Sequence, residues 1–182
     1  MNRTRTKLSA PPVDLANLVN PADPEAALAS LFDVHYTSLL RLAVLLGADD
    51  AEDVVAEAFY QLYRRWQKLR TPDAALGYVR SVVCNLARMR LRHLRVVRRH
   101  TETAPAPEDS AESLALLRDD QRVLVEALQR LPARQREALV LRYWLGLKEV
   151  EIAQAMGISG GSVKAHTARG MAALTRVMEV RR

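Results

Sequence analysis

The sequence has a single cysteine, Cys84, and this scarcity excludes several kinds of site. One thiol allows no internal disulfide and no zinc site built from the cysteines of this chain. The four histidines stand at positions 35, 93, 100 and 166, which is not the spacing of metal ligands. We therefore expect neither a metal site nor a bound cofactor.

The sequence also lacks long apolar runs and contains few glycines and prolines. No stretch of 18 apolar residues is present, and residues 1–27 lack the apolar core and cleavage site of a secretion signal. Hydrophobic residues make up 49% of the chain, against 7 glycines and 8 prolines, which is typical of a folded protein rich in helix formers. We expect a cytoplasmic protein that makes no membrane contact of its own.

Acidic residues are missing from residues 74–101, a segment that holds seven arginines in a chain of net charge +6. The next segment, residues 101–113, is acidic and carries Pro105 and Pro107, which obstruct a continuous helix. This change of sign marks a domain boundary. With the richness in helix formers, it predicts an all-α fold of two small helical domains joined by a flexible acidic linker. The predicted divisions are a flexible tail (1–24), a first domain (25–98), the linker (99–113) and a second domain (114–182).

The first domain carries a row of carboxylates on a predicted helix. In "ADDAEDVVAEAFYQLYRRWQKL", apolar residues recur at helical steps and predict one buried stripe, formed by Val55, Phe59, Leu62, Trp66 and Leu69. Asp49, Asp53 and Glu57 recur at steps of four on another face. These carboxylates either complement the helix dipole or form a docking face for a basic partner, and the spacing leaves both interpretations open.

The arginine-rich helix that follows has a cationic face around Asn85. Such a face is often only solvated, but the absence of acid throughout the segment leaves a positive potential suited to phosphates. Asparagine is also one of the side chains able to read a base edge. The segment therefore predicts contact with nucleic acid.

The second domain contains a helix-turn-helix pattern around "MGIS". Helices are predicted from about Ala133 to Leu145, from Lys148 to Ala155 and from Gly160 onward, with Pro132 in the first turn of the first of these. Ser159 is a suitable N-cap, which leaves the glycine pair and Ser162 in the first turn, open to a phosphate. A face of cationic and small residues is predicted to enter a major groove: Lys164, Ala165, Ala168 and Arg169, with His166 at its flank.

The order of three stretches resembles a known family. "AEDVVAEAF", then "YVRSVVCNLARMRLR", then "LPARQREALVLRYWLGLKEVEIAQAMGISGGSVKAH" are similar to the extracytoplasmic-function sigma factors of bacterial RNA polymerase, of the actinobacterial sigma-E-like type. The resemblance covers about residues 25–178 and implies an alternative sigma factor. Such a protein binds core RNA polymerase and directs initiation by recognising −35 and −10 promoter elements and promoting strand opening.

The resemblance also implies roles for particular residues. The polymerase clamp helices would bind Asp49, Asp53 and Glu57. The −10 element would be bound by Lys68, Arg70, Asn85, Arg88, Arg90 and Arg92. The −35 element would be bound by Ser159, Gly160, Gly161, Ser162, Lys164, Ala165, His166 and Arg169. The implied partners are core RNA polymerase (clamp helices and flap), promoter DNA and an anti-sigma factor, and no catalytic residue is required.

Four positions depart from the family pattern, and two other classes of protein stay open. Ala56 replaces a frequent glutamine at the polymerase interface, while Cys84, Met89 and His166 replace residues that bear on promoter preference.

A response-regulator output protein shares the helix-turn-helix pattern but requires an α/β receiver domain in place of residues 25–98. A nucleic-acid enzyme would need Asp49 and Asp53 to bind magnesium together with further ligands.

Overall fold

A computed structural model describes residues 24–69, 71–100 and 119–179, and within these ranges the secondary structure is entirely helical. The α-helices are α1 (Pro24–Leu46), α2 (Ala51–Arg65), α3 (Pro72–His100), α4 (Asp119–Gln129), α5 (Ala133–Leu139), α6 (Glu149–Met156) and α7 (Gly160–Glu179). A 3₁₀ turn spans Trp66–Lys68, and a π-helical segment spans Val140–Trp144. Residues 1–23, which make up all but the last residue of the predicted tail, lie outside the described residues, as do Arg70 and residues 101–118 and 180–182.

The first three helices pack around one apolar core. The α2 stripe is buried at Val55, Phe59 and Leu62, in agreement with its helical periodicity. It meets buried leucines of α1 and buried valines of α3, among them Leu42 and Val79. The acidic and basic faces of these helices therefore remain on the outside of the bundle.

Helix α1 is apolar enough to need a separate explanation. The segment Glu25–Leu46 has 22 residues and a mean hydropathy of 1.3, so by length and composition it could cross a membrane. Its Leu39, Leu42 and Ala43 are instead buried in the core shared with α2 and α3. This packing accounts for part of the apolar composition of α1, since 22% of its most apolar window is buried. The helix ends at Gly47, whose positive φ of 87° suits glycine.

The second domain departs from the predicted helix boundaries at both ends of one predicted helix. The segment predicted as one helix to Leu145 is α-helical only to Leu139 and then widens into the π-helical segment, where Leu145 N–H donates to the Val140 carbonyl at 3.3 Å. Pro132 was predicted to lie in the first turn of this helix. It is instead the N-cap residue before α5, with an extended ψ of 137°. The periodicity of the sequence does not distinguish an α-helix from a π-helical segment, nor an N-cap residue from a residue of the first turn.

Helices α6 and α7 form the helix-turn-helix. Gly157 adopts the left-handed conformation, with φ of 64° and ψ of 41°, and ends α6. Ile152 and Val163 are buried between the two helices. The Ile158 N–H donates to the Ala153 carbonyl at 3.0 Å, which closes the turn.

The two helical units pack directly against each other. Helix α3 lies along α6, and α1 contacts α4 and α5, so that one hydrophobic core runs through both units. The Ser81 hydroxyl donates to the Ala155 carbonyl at 3.2 Å, and Gln129 Nε2 donates to the Val44 carbonyl at 3.3 Å. The sequence pattern predicts two units but not this docked arrangement.

Candidate nucleic-acid interface

The predicted carboxylate row lies on the surface of the first unit. Asp53 and Glu57 are exposed on α2, while Asp49 lies in the turn before the helix begins. Glu57 accepts a hydrogen bond from Gln61 Nε2 at 2.8 Å. Tyr60, which is 56% exposed, continues the same face one turn later. We call Asp53, Glu57 and Tyr60 the acidic face; Tyr60 was not predicted, because its spacing alone does not distinguish it from a core aromatic residue.

The predicted cations of α3 are not equivalent in the structure. Arg90 Nε forms an ion pair with Asp50 Oδ2 at 2.7 Å, which ties α3 to the turn before α2. Arg92 is exposed, as is Lys68 at the end of the 3₁₀ turn. The resemblance assigned all of these side chains to the −10 element, whereas in the structure Arg90 is already paired.

Arg88 connects the predicted −10 surface to the second unit. Its side chain is only 24% exposed, and its Nε lies 3.2 Å from Glu137 Oε2. The same guanidinium donates to the Cys84 carbonyl at 3.2 Å and to Asn85 Oδ1. The structure thus brings Asn85 and Arg88 together, and it pairs Arg88 with a carboxylate of α5.

Glu137 is the centre of a buried polar cluster that the sequence analysis missed. Its side chain is 1% exposed, and Arg134 Nη1 lies 3.5 Å from its Oε2. Burial raises the pKa of Glu137 to about 7, while Arg88 and Arg134 oppose the rise. Burial, and next the charge of Glu137, raises the pKa of the Cys84 thiol well above its usual value. We call Cys84, Arg88, Arg134 and Glu137 the interdomain cluster.

The start of α7 carries the predicted cap. Ser159 Oγ accepts a hydrogen bond from the Ser162 N–H at 3.2 Å and lies 2.9 Å from the Ser162 hydroxyl. Gly161 faces open space, since the nearest atom to a Cβ built there is Ser159 Oγ at 4.0 Å. A Cβ on Gly160, however, would lie 2.6 Å from Glu149 Oε1. The clearance predicted for a phosphate beside Gly160 is therefore filled by a carboxylate of α6.

The predicted reading face of α7 is turned to solvent. Lys164 (74% of its side chain exposed), Ala168 and Arg169 are exposed, while Ala165 and His166 are partly buried. Lys164 Nζ lies 3.7 Å from Glu149 Oε2, a loose ion pair. Burial, followed by the charges of Arg169 and Arg134, lowers the pKa of His166, so its imidazole is neutral near pH 7.

No metal-binding group of three or more His, Cys, Asp or Glu side chains occurs among residues 24–69, 71–100 and 119–179.

Comparison with known proteins identifies the family. The sequence profile of Sigma-70 region 2 matches residues 31–97, and that of Sigma-70, region 4 matches residues 121–174. The RNA polymerase sigma-E factor of Streptomyces antibioticus is 33% identical over 148 residues, which cover 79% of this chain and 80% of the relative. The ECF RNA polymerase sigma factor SigL of Mycobacterium tuberculosis is 30% identical over 174 residues, with 91% and 97% coverage.

Solved structures share the helical fold. The sigma factor RpoE of Bartonella quintana, determined in complex with the anti-sigma factor NepR, superimposes with a TM-score of 0.67 at 19% identity and covers 85% of this chain and 98% of its own. CnrH, determined in complex with the cytosolic domain of CnrY, gives a TM-score of 0.65 at 21% identity, with 91% and 95% coverage. The chain belongs to the extracytoplasmic-function sigma factors of the sigma-70 family.

It is therefore a sigma factor that directs transcription initiation, in a family that binds core RNA polymerase and promoter DNA. The response-regulator interpretation is not favoured, because the first unit matches Sigma-70 region 2 and is helical where a receiver domain is α/β.

Proposed function

We propose that this sigma factor reads the −35 element with α7, binds the −10 element with α3 and docks on polymerase through the acidic face of α2. The division into functional units follows residues 25–98 and 114–182, with residues 99–113 as the linker between them. The observation that carries the proposal is the solvent-facing surface of α7, which combines a capped N-terminus with exposed cations.

The chemistry of α7 suits the major groove of duplex DNA. Small side chains at Ala165 and Ala168 allow close approach, and Lys164 and Arg169 supply charge beside them. Gly160 and Gly161 offer backbone N–H groups at the positive end of the helix dipole to a phosphate, beside the Glu149 carboxylate, while the Ser162 N–H is used by the Ser159 cap. His166, neutral through its lowered pKa, has one ring nitrogen, Nε2, left for base reading, because its Nδ1 is buried.

The acidic face suits a basic docking partner. Asp53 and Glu57 are both exposed, while the opposite side of α2 is buried in the core. Helix-dipole stabilisation accounts for carboxylates in the first turn, but Glu57 lies beyond that turn. We assign Asp49, Asp53 and Glu57 to the polymerase clamp helices and add Tyr60 as a neighbouring contact.

The −10 element is assigned to α3 and to the turn before it. We assign Asn85, which is exposed, to the capture of an unpaired base. Phosphates of the same element are assigned to Lys68, Arg88, Arg90 and Arg92, of which Arg88 and Arg90 also form ion pairs with Glu137 and Asp50. Arg70, which belongs to the same prediction, lies outside the described residues. Strand opening draws its energy from binding unpaired bases, so the chain requires no nucleotide hydrolysis, no catalytic residue and no cofactor, and it acts in the cytoplasm.

An anti-sigma factor is proposed as a further partner, alongside the polymerase flap. RpoE and CnrH, whose folds resemble this chain, were determined with an anti-sigma factor and with the cytosolic domain of CnrY, respectively. A pull-down from native cells tests this partner, and recovery of core polymerase alone would contradict it.

The docking assignment is tested by charge reversal. Asp53→Arg should abolish co-purification with core RNA polymerase and run-off transcription, because it places a cation in a face assigned to a basic partner. Asp33→Arg makes the same charge change at an exposed position on α1 and serves as the matched control. If Asp53→Arg still bound core RNA polymerase, the carboxylates of α2 would be explained by stabilisation of the helix dipole alone.

A further inference from the structure

The first unit carries an open apolar groove where α1 begins. The groove runs between the first turns of α1 and the second half of α2 and has a volume of about 350 Å³. Its walls are formed by Leu28, Ala29 and Phe32 of α1 and by Phe59 and Tyr63 of α2, together with Glu25. The groove lies apart from the surfaces assigned to DNA, which are on α3 and α7.

The aromatic walls of the groove are held in place but not covered. The Phe32 ring lies 4.7 Å from the Tyr36 ring and 4.9 Å from the Phe59 ring, measured between centroids, and these contacts fix its orientation. Phe32 nevertheless remains 38% exposed and Tyr63 53% exposed. A contiguous exposed apolar surface of this kind marks a place where another apolar surface binds.

The chain itself contains a segment that suits this groove. Residues 13–19, "VDLANLV", stand shortly before α1, and they hold every valine and leucine between positions 9 and 23. Leu18 and Val19 follow Leu15 at distances of three and four positions, so a single helical turn would place all three on one face. The sequence therefore provides an apolar face to set against an apolar groove.

The length of the connection brings this segment beside the groove. Only residues 20–23 lie between the segment and Pro24, where α1 begins, and four extended residues span at most about 14 Å. Phe32 lies eight residues into α1 (32 − 24), which is about 12 Å along the helix axis. Pro21, within the connection, disfavours one continuous helix. The segment is therefore able to fold back along α1 and reach the groove.

A tethered segment also needs little intrinsic affinity to occupy the groove. Closing a loop of so few residues has a small entropic cost, and a short tether gives an effective concentration on the order of millimolar. A second copy of the chain, or another protein in solution, would have to overcome this advantage. The segment of the same chain is thus the favoured occupant.

We propose that residues 13–19 bind intramolecularly in the groove between α1 and α2, with the apolar face of the segment against Phe32 and Tyr63. The segment completes the apolar packing of the first unit and limits the predicted flexible tail to the residues before it. Asp53 and Glu57 lie on a different face of α2 and stay exposed. The inference is therefore independent of the docking and DNA-binding roles proposed above.

Disulfide trapping in the full chain, without polymerase or DNA, tests the proposal. Ala29→Cys introduces one thiol at an exposed position of the groove, and Leu18→Cys introduces a second on the apolar face of the segment. The matched control combines Ala29→Cys with Asn17→Cys, because Asn17 has nearly the same reach along the chain but lies on the opposite face of the same helical turn. Cys84 is fully buried and takes no part in the reaction.

Docking holds only one of these pairs within disulfide distance. We therefore expect the pair with Leu18→Cys to form its intramolecular disulfide about tenfold faster than the pair with Asn17→Cys under a mild oxidant. Equal rates would show that the groove is left open to a separate partner and would overturn the proposal. A disulfide between two chains, detected as a dimer on a non-reducing gel, would overturn it in favour of a second copy as the occupant.

A second variant tests the groove as the docking place. Tyr63→Ser removes one wall of the groove at an exposed position, so it should slow trapping of the pair with Leu18→Cys to the rate of the pair with Asn17→Cys. Tyr143→Ser removes a similarly exposed tyrosine from the second unit and is the control, which should leave the rate unchanged. Undiminished trapping with Tyr63→Ser would overturn the assignment of residues 13–19 to this groove.

Discussion

The buried carboxylate of Glu137 makes the stability of the fold depend on pH in a predictable direction. Its pKa rises from the model-compound value of 4.5 to about 7 in the folded chain, because burial disfavours the ionised form. The folded state therefore binds a proton more tightly than the unfolded state. The stabilisation is fully present below about pH 4.5 and is lost as the pH rises through about 7.

The size of the effect follows from the displacement of the pKa. A change from 4.5 to about 7 corresponds to about 3 kcal/mol. The clean measurement is the difference in unfolding free energy between the wild-type chain and Glu137→Gln, followed by urea denaturation across this pH range. Glutamine has nearly the same shape but does not titrate, so the contributions of all other carboxylates cancel in the difference.

We expect the wild-type chain to lose about 3 kcal/mol relative to Glu137→Gln between about pH 4 and about pH 8. Parallel pH profiles for the two chains would refute the reasoning, because they would mean that Glu137 titrates at the same pH in the folded and unfolded states. A relative gain for the wild-type chain with rising pH would show that Arg88 and Arg134 outweigh burial.

Three further predictions concern packing and DNA binding. Gly170→Ala should destabilise the chain by roughly 1–3 kcal/mol, since its Cβ would lie 3.1 Å from the Gln135 carbonyl oxygen and 3.2 Å from Leu139 Cδ1. The control is Gly161→Ala, because Gly161 faces open space. Equal thermal unfolding midpoints for the two variants would contradict the tight α5–α7 contact. Lys164→Ala should weaken duplex binding for all sequences and lower the salt slope by roughly one; an unchanged slope in a salt titration would rule out a phosphate contact. Asn85→Ala should impair strand opening at the −10 element more than closed-complex affinity, measured by permanganate reactivity and gel shift, and equal losses would argue against base capture.

The helix-turn-helix and its exposed face could be predicted from local signals. Gly157 ends α6 because its left-handed backbone favours glycine, and Ser159 caps α7 through its own side chain. Both effects act within a few residues of the chain. The stripe of Val55, Phe59 and Leu62 on α2 was predictable for a similar reason, since helical periodicity alone decides which side chains share a face.

One feature of the candidate site lay beyond the reach of the sequence. The glycine at position 160 is interpreted as clearance for a phosphate, and in the structure the tip of the Glu149 side chain lies 2.6 Å from the position of its Cβ. Glu149 reaches Gly160 only because the turn folds α6 back onto α7. A pattern of residue types indicates that room is needed, but it does not say which group uses it.

What the sequence determined by itself was local: the helices, their apolar faces, the turn at Gly157 and the clustering of basic residues on α3. What only the tertiary structure decided was the pairing of Arg88 with Glu137, 49 positions apart in the chain (137 − 88), and the burial that raises the pKa of Glu137. The physical reason is that periodicity and capping act between near neighbours, whereas desolvation and ion pairing depend on which distant surface covers a side chain. The change of charge sign along the chain indicated two units, and the packing of α3 on α6 decided that they meet.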